Sequence, residues 1–392
     1  MIKINKTPNN PLINAYMNGD IESFSKLIEE GENVNCLNEY NRSLISIVLK
    51  NSKKLKNNKD FFDKLISSGV ALNRIGTGMD LLSTAVFNQN DIYYAKIMLK
   101  NNIEIDSFGR FYTKNFMGYN EIGTYGPPIF EALEEGKLEY FNLFLKNNAN
   151  VNCLDCTGNS ILHHLVNNCC YNFTKKEMVR IFNILLEAGA DHESRNSNGR
   201  QILHSIVKGH DNYLLTNLFK KVKDIDIDAK DNRGNTALML SSDFDNIEAM
   251  KFLIKKGANL DICNLDGFDV LSSCFYMHKI EAFKLMIDSG ADVFSKYKNS
   301  TGDSILHTIV FTDIASLQDN GHDFKLKKYY TAVLSKHPEL LRKKNNSMLS
   351  PIEILKKRGY LTKEKEKFLN KFESKIKSPK NKSMGVDSSN HK

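Results

Sequence analysis

The chain has 392 residues, a formal net charge of +8 with histidine neutral, 41% hydrophobic and 26% charged residues, seven cysteines and no tryptophan. That length suits two or three ordinary domains or one long repeat array, and the composition is ordinary for a folded soluble protein. No apolar run approaches the roughly 20 residues of a membrane helix, and an odd cysteine count in so long a chain argues against a disulfide framework.

Taken in chain order, the N-terminal Met1–Pro11 is polar and holds no apolar segment of a secretory signal. A cytoplasmic location is therefore expected, or a host's cytoplasm for a chain exported by another route. Pro11-Leu-Ile-Asn-Ala15 opens a first short helix, and Ile21-Glu-Ser-Phe-Ser-Lys-Leu-Ile-Glu-Glu-Gly31 a second. The second carries apolar residues at helical spacing, an early Glu suited to a helix N-terminus, and a closing Gly that tolerates the left-handed conformation. The basic stretch 50–58 lengthens the loop between two helices and reads as a solvated loop. Residues 107–125 form a longer interruption with six aromatics, Phe108, Phe111, Tyr112, Phe116, Tyr119 and Tyr125. Pro127-Pro-Ile-Phe-Glu-Ala132 and Leu138–Asn148 then repeat the short and the second helix.

The same pair recurs downstream. Ser160-Ile-Leu-His-His-Leu165, Gln201-Ile-Leu-His-Ser-Ile206, Thr236-Ala-Leu-Met-Leu-Ser241, Asp269-Val-Leu-Ser-Ser-Cys274 and Ser304-Ile-Leu-His-Thr-Ile309 open the short helices. Ile247–Gly257 and Ile280–Gly290 align without gaps to Ile21–Gly31. A turn precedes most pairs: Asp155–Gly158, Asn196–Gly199, Asp231–Gly234 and Asn264–Gly267, opened by Asp or Asn and closed by Gly. Stretches 167–177 and 313–326 lengthen further inter-helix loops. Residues 342–360, with Leu349-Ser-Pro-Ile-Glu-Ile-Leu355, read as a truncated closing unit, 361–377 as an amphipathic helix or cap, and 378–392 as a disordered basic tail. Lys336–Lys392 holds 16 Lys/Arg against 6 Asp/Glu, so the basic charge belongs to this end and leaves the body near neutrality.

The helix stops fall at Gly31, Gly69, Asn102, Asn148, Gly189, Asp224, Gly257 and Gly290, at separations of 38, 33, 46, 41, 35, 33 and 33. A base period of 33 with insertions accounts for them, and with the short-helix motif it resembles the ankyrin-repeat family from about residue 9 to residue 360. Most repeats lack the family's proline and the Gly-His between helices. The resemblance implies an all-α repeat solenoid of about nine or ten units, each a β-hairpin loop and two helices, with residues 1–360 as the array. Its irregular, Asn-rich style, with asparagine at about one residue in nine, also resembles arrays of intracellular bacteria that act on host proteins as exported effectors.

The resemblance further implies a non-catalytic adaptor that holds a protein partner on its concave hairpin and inner-helix face. On that face fall Leu265, Phe268, Tyr276 and Met277 of the unit at 262–294, with Arg233, Asn235 and Phe244 of the unit before it. The four apolar residues either meet a partner or are buried by a neighbouring unit. In the aromatic insertion, Phe108, Phe111, Tyr112, Phe116 and Tyr119 either contact a partner or fold back over the array. His163, His204 and His307 share one repeat position, which makes them structural links from helix start to adjacent hairpin. Cys153, Cys156, His163, His164, Cys169 and Cys170 lie within 18 residues and are of zinc-ligating type. Yet Cys153 occupies a small-residue repeat position shared with Cys36, Ser194 and Ala229, so a metal-stabilised module is the weaker alternative, as is an enzyme hidden in the insertions. No phosphate-loop, nucleophile-elbow or zinc-protease motif occurs. The chain is therefore expected to hold no catalytic residue, metal or cofactor, to take no small-molecule substrate, and to have neither nucleic acid nor membrane as partner.

Overall fold

The computed structural model describes residues 10–73, 80–88, 91–108, 112–114, 120–122, 126–168, 172–294, 302–320 and 326–376. They fall into two compact units, residues 1–223 and 224–392.

The first unit stacks six helix pairs. They are α1 (Pro11–Met17) with α2 (Ile21–Glu29), α3 (Leu44–Lys50) with α4 (Asn58–Ser67), and α5 (Leu81–Asn88) with α6 (Tyr93–Lys100). A hairpin of β1 (Tyr112–Lys114) and β2 (Asn120–Ile122) follows, antiparallel with Thr113 opposite Glu121. Then come α7 (Pro128–Glu134) with α8 (Leu138–Lys146), α9 (Ile161–Asn168) with α10 (Lys175–Glu187), and α11 (Ile202–Lys208) with α12 (Asn212–Lys221). The second unit holds α13 (Ala237–Asp243) with α14 (Ile247–Lys255), α15 (Val270–Tyr276) with α16 (Ile280–Asp288), and α17 (Ile305–Asn320) with α18 (Lys327–Lys336). A 3-10 turn at Pro338–Leu341, α19 (Pro351–Lys357) and α20 (Lys363–Ile376) close it. Helices of seven to nine residues are too short to persist alone in water. Their stability comes from stacking, inner helix on inner helix, as α3 on α5 and α13 on α15, and outer on outer, as α16 on α18.

Most inner helices begin in one register because their N-cap residues do the same chemical job, Pro127 and Gln201 being exceptions. Asn10, Asp80 and Asp269 accept the backbone N–H three residues on, at 3.2, 2.9 and 2.7 Å. Ser43, Thr236 and Ser350 do so through a hydroxyl, and Ser350 completes a capping box with Glu353. Most outer helices end on a left-handed residue. At α14 the Gly257 N–H reaches Ile254 O and the Ala258 N–H reaches Leu253 O, both at 3.0 Å, with Gly257 at φ 93°. Asn102 and Asn148 stand in for Gly at φ 57° and 61°.

Two expectations need correction. Asp224 is not a left-handed stop: α12 ends at Lys221, and the next residue, Val222, turns extended while its N–H still bonds Leu218 O. A β-branched residue is poorly suited to the left-handed region, so the chain leaves this helix by another route. The stretch from residue 313 is not all loop either. α17 runs for 16 residues, against seven in α13 and α15, and Asp313 and Ile314 are buried within it.

The core between inner and outer helices is apolar and aromatic. Phe61 meets Tyr16 and Phe24 edge-on at 5.2 and 4.9 Å, and Tyr329 meets Phe275 and Phe283 at 5.1 and 5.0 Å. Full burial of such side chains is worth about 1.5–3 kcal/mol each. One buried amide is fully engaged among them: Asn58 accepts from the Tyr16 hydroxyl at 2.9 Å and donates to Val48 O and Tyr94 Oη.

Candidate functional site

The hairpin turns are built by one device. The side-chain oxygen of Asp155, Asn196, Asp231, Asn264 or Asn345 accepts the N–H groups two and four residues on, at 2.8–3.2 Å. Three pairs of neighbouring turns are then tied together, one in the first unit and two in the second. Asn196 Nδ2 donates to Asn159 Oδ1 at 3.0 Å, Asn264 Nδ2 to Asn235 Oδ1 at 3.0 Å, and Asn345 Nδ2 to Asp303 Oδ1 at 2.7 Å. The residue that closes one turn is thus the acceptor for the residue that opens the following one.

This accounts for two groups of residues singled out in the sequence. Asn235, expected among the partner contacts, is buried instead, with its side-chain oxygen committed to Asn264. The recurrent histidines are links of the same kind. His163 Nε2 lies 2.8 Å from Arg200 O, and His307 Nε2 3.1 Å from Leu349 O. A carbonyl only accepts, so Nε2 carries the proton and Nδ1 accepts, from Ser160 Oγ at 2.7 Å and Ser304 Oγ at 2.8 Å. Burial pushes the pKa of both rings down, which favours this neutral, single-proton form. His204 Nδ1 likewise accepts from the Gln201 N–H at 3.2 Å.

The described members of the Cys-His cluster do not converge on a metal site. Cys153 is half-buried, Cys156 is exposed, and Cys169 and Cys170 lie outside the described residues. His163 is committed to the neighbouring turn, while His164 faces Asp155 at 3.8 Å and Glu134 at 3.7 Å. Burial works against the Asp155 charge, yet the nearby His164 ring and hydrogen bonds from Thr157 and Asn159 outweigh it and hold the carboxyl at about 2. Among the described residues no group of three or more His, Cys, Asp or Glu side chains is disposed to hold a metal ion.

The second unit exposes several large apolar side chains at its turn tips and inner-helix ends. Leu265 at a turn tip is 70% exposed, and Tyr276 and Met277 at the end of α15 are 42% and 54% exposed. Half-buried Phe268 joins them, its ring edge-on to Tyr276 at 5.0 Å. The patch continues toward the preceding repeat, where the Leu265 N–H donates to Arg233 O at 2.9 Å and the Arg233 side chain is exposed. Phe244, the C-cap of α13, occupies the repeat position of Met277 and is also exposed. Phe311 of α17 occupies that of Tyr276 and is exposed as well. The sequence reading missed Phe311, although counting seven residues from each N-cap finds it. In the aromatic insertion Phe108 is exposed and Tyr112 opens β1, whereas Phe111, Phe116 and Tyr119 lie outside the described residues.

A family model described as ankyrin repeats (3 copies) matches residues 173–264 and 208–297. The chain carries ankyrin repeats. A putative ankyrin repeat protein of Fowlpox virus (strain NVSL) is 32% identical over 123 residues, which is 31% of this chain and 26% of that protein. Rabankyrin-5 of Mus musculus is 26% identical over 219 residues, 48% of this chain and 18% of its own length. An ankyrin repeat protein of Variola virus is 23% identical over 299 residues, 74% of this chain and 47% of that one. The chain thus spans less than half the length of each of these relatives. Among solved structures, the ankyrin repeat domain of Bcl-3 superposes with a TM-score of 0.47 at 20% identity, over 58% of this chain and 92% of that one. Ankyrin repeats are protein–protein interaction modules, and the family is generally non-catalytic. No helix among the described residues is long and apolar enough to cross a membrane.

Proposed function

We propose that this ankyrin array is a non-catalytic adaptor that seats a protein partner on the turn tips and inner-helix ends of its second unit. The observation that carries the reading is the set of exposed Leu265, Tyr276 and Met277 joined by half-buried Phe268, with Arg233 at its edge. Aromatic and Arg side chains dominate interface energetics, and apolar clusters of this kind on a surface mark interaction sites. The turns that present them are fixed by the side-chain ladder from Asp231 to Asn264, so little ordering entropy is lost on binding. In this reading residues 1–360 are the scaffold, residues 361–377 close it, and Phe108 with the hairpin of 107–125 is a second contact.

Affinity capture tests the proposal with three forms of the full chain: unaltered, Leu265→Ser/Met277→Ser, and lacking residues 107–125. Partners lost from the double variant while its melting temperature is unchanged support the surface. Identical capture by all three forms sinks it. The Asn- and Lys-rich composition supports a further step, in which the partner is a host protein met after export. A translocation reporter fused to the chain tests that step, and a reporter that never enters a host cell refutes it.

A further inference from the structure

The first two repeats form a groove whose chemistry differs from that of the Leu265–Met277 surface. A cavity of about 450 Å³ opens between the turn at Asn38–Arg42 and the inner helices α1 and α3. Its apolar wall is Ile13, Met17 and Tyr40, with Met17 61% and Tyr40 68% exposed. Its polar wall is Arg42, Lys50 and Lys54, all exposed, against a single lining carboxylate, Glu39.

The cations are brought together by a break in the repeat. Lys50 ends α3, and Lys54 belongs to the stretch 50–58 that lengthens the following loop. Sequence alone reads that stretch as solvated, but the fold turns part of it onto the face where turns and inner helices lie. Among the described residues none of the three cations has a carboxylate within ion-pair distance. Lys50 shows the consequence: burial and the neighbouring charges of Arg42 and Lys54 lower its pKa. Like charges gathered beside an apolar floor, without a counter-charge of their own, suit an anionic ligand that also carries an apolar group. The chain's own tails do not fit this description. Residues 1–9 carry Lys3 and Lys6 and no acid, and residues 377–392 carry four lysines against Asp387.

We propose that this groove is a second binding site, and that it takes an acidic peptide segment, with carboxylates on Arg42, Lys50 and Lys54 and an apolar side chain against Met17 and Tyr40. Charge complementarity of this kind sets orientation and speeds encounter, and it weakens as salt screens it. The site shares no residue with the surface proposed above and does not depend on it.

The test is fluorescence anisotropy on the full chain with a rhodamine-labelled peptide of glutamates around a central pair of leucines. Saturable binding that weakens with added salt is expected. Affinity should fall about tenfold or more when glutamine replaces glutamate in the peptide, and comparably in a Lys50→Glu/Lys54→Glu protein. Both lysines are exposed, so that protein should keep its circular dichroism and melting temperature. Met17→Ser should weaken binding several-fold, and Leu265→Ser/Met277→Ser should leave it unchanged. The proposal is overturned if the glutamate peptide shows no saturable binding, or if the glutamine peptide or the charge-reversed protein binds equally well. It is also overturned if the Leu265→Ser/Met277→Ser protein loses the peptide, or if single-stranded oligothymidylate binds more tightly and displaces it.

Discussion

α20 is fastened to the second unit in an unusual way, and Lys365→Met tests it. Among the described residues of this helix only Lys365 and Leu369 are buried, so apolar burial supplies little of its attachment. The Lys365 ammonium lies 2.6 Å from Asp313 Oδ2 on α17, with the two side chains 5% and 1% exposed. The Tyr330 hydroxyl donates to the same oxygen at 3.2 Å. Removing the lysine leaves the Asp313 carboxylate in a dry site without its cation. Breaking a buried pair from one side costs about 3–5 kcal/mol, whereas exposed pairs are worth about 0–1 kcal/mol. Urea unfolding followed by circular dichroism measures the loss, and hydrogen exchange on α17 and α20 locates it. Replacing both partners, Asp313→Leu with Lys365→Met, should recover most of the stability, because two apolar groups require no counter-charge. A single-variant loss under about 1 kcal/mol, or a double variant no better than the single one, would refute the reasoning.

Three further outcomes follow from the same geometry. His278 sits at φ 58° between α15 and α16, in the left-handed region that disfavours a side chain, and its ring is exposed. His278→Gly should therefore raise stability by about 1 kcal/mol, read as a higher melting temperature. Gly234, at φ 77°, is the opposite case, since a Cβ there would stand 2.9 Å from Leu265 N and 3.1 Å from Asn264 Cα. Gly234→Ala should cost at least about 1–2 kcal/mol from backbone strain and disturb the Arg233–Leu265 link, so both the melting temperature and partner capture should fall. Buried Glu131 is pushed up to about 8, by burial first and then by Glu134, Glu135 and Asp80. The folded chain then binds this proton more tightly than the unfolded one, so stability should decline as pH rises from about 4.5 to about 8, by an amount on the order of a few kcal/mol. Glu131→Gln should flatten that decline in thermal melts across the range, and an unaltered slope would assign it to other groups.

The repeat itself was legible because its signals are local. A turn opened by Asp or Asn and closed by Gly, an N-cap three residues before its bonded amide, and a Gly or Asn after the outer helix all act within a few residues. Each can be read without knowing the fold, and the recurrence of His163, His204 and His307 at one position already marked them as structural. The readings that failed depend on what one repeat does to the next. Asn235 looked available because its turn exposes that position, until Asn264 of the following turn claims its oxygen. Asp224 looked like a stop by spacing alone, while the chain there leaves its helix on an extended Val222.

The breaks in the period show the same limit from the other side. Nothing local in residues 313–320 says that a loop should stay helical. Asp313 within that extension pairs with a lysine about fifty residues on, Lys365, which sequence alone places on an amphipathic helix or cap and the fold buries as the counter-ion of Asp313. Lys50 and Lys54 likewise read as loop solvation, because the apolar floor they stand beside, Ile13 and Met17, belongs to the preceding repeat. In a repeat chain the motif specifies the unit. The surface is specified by pairs of units, so it is the residues that break the motif that must be placed in three dimensions before they can be assigned a task.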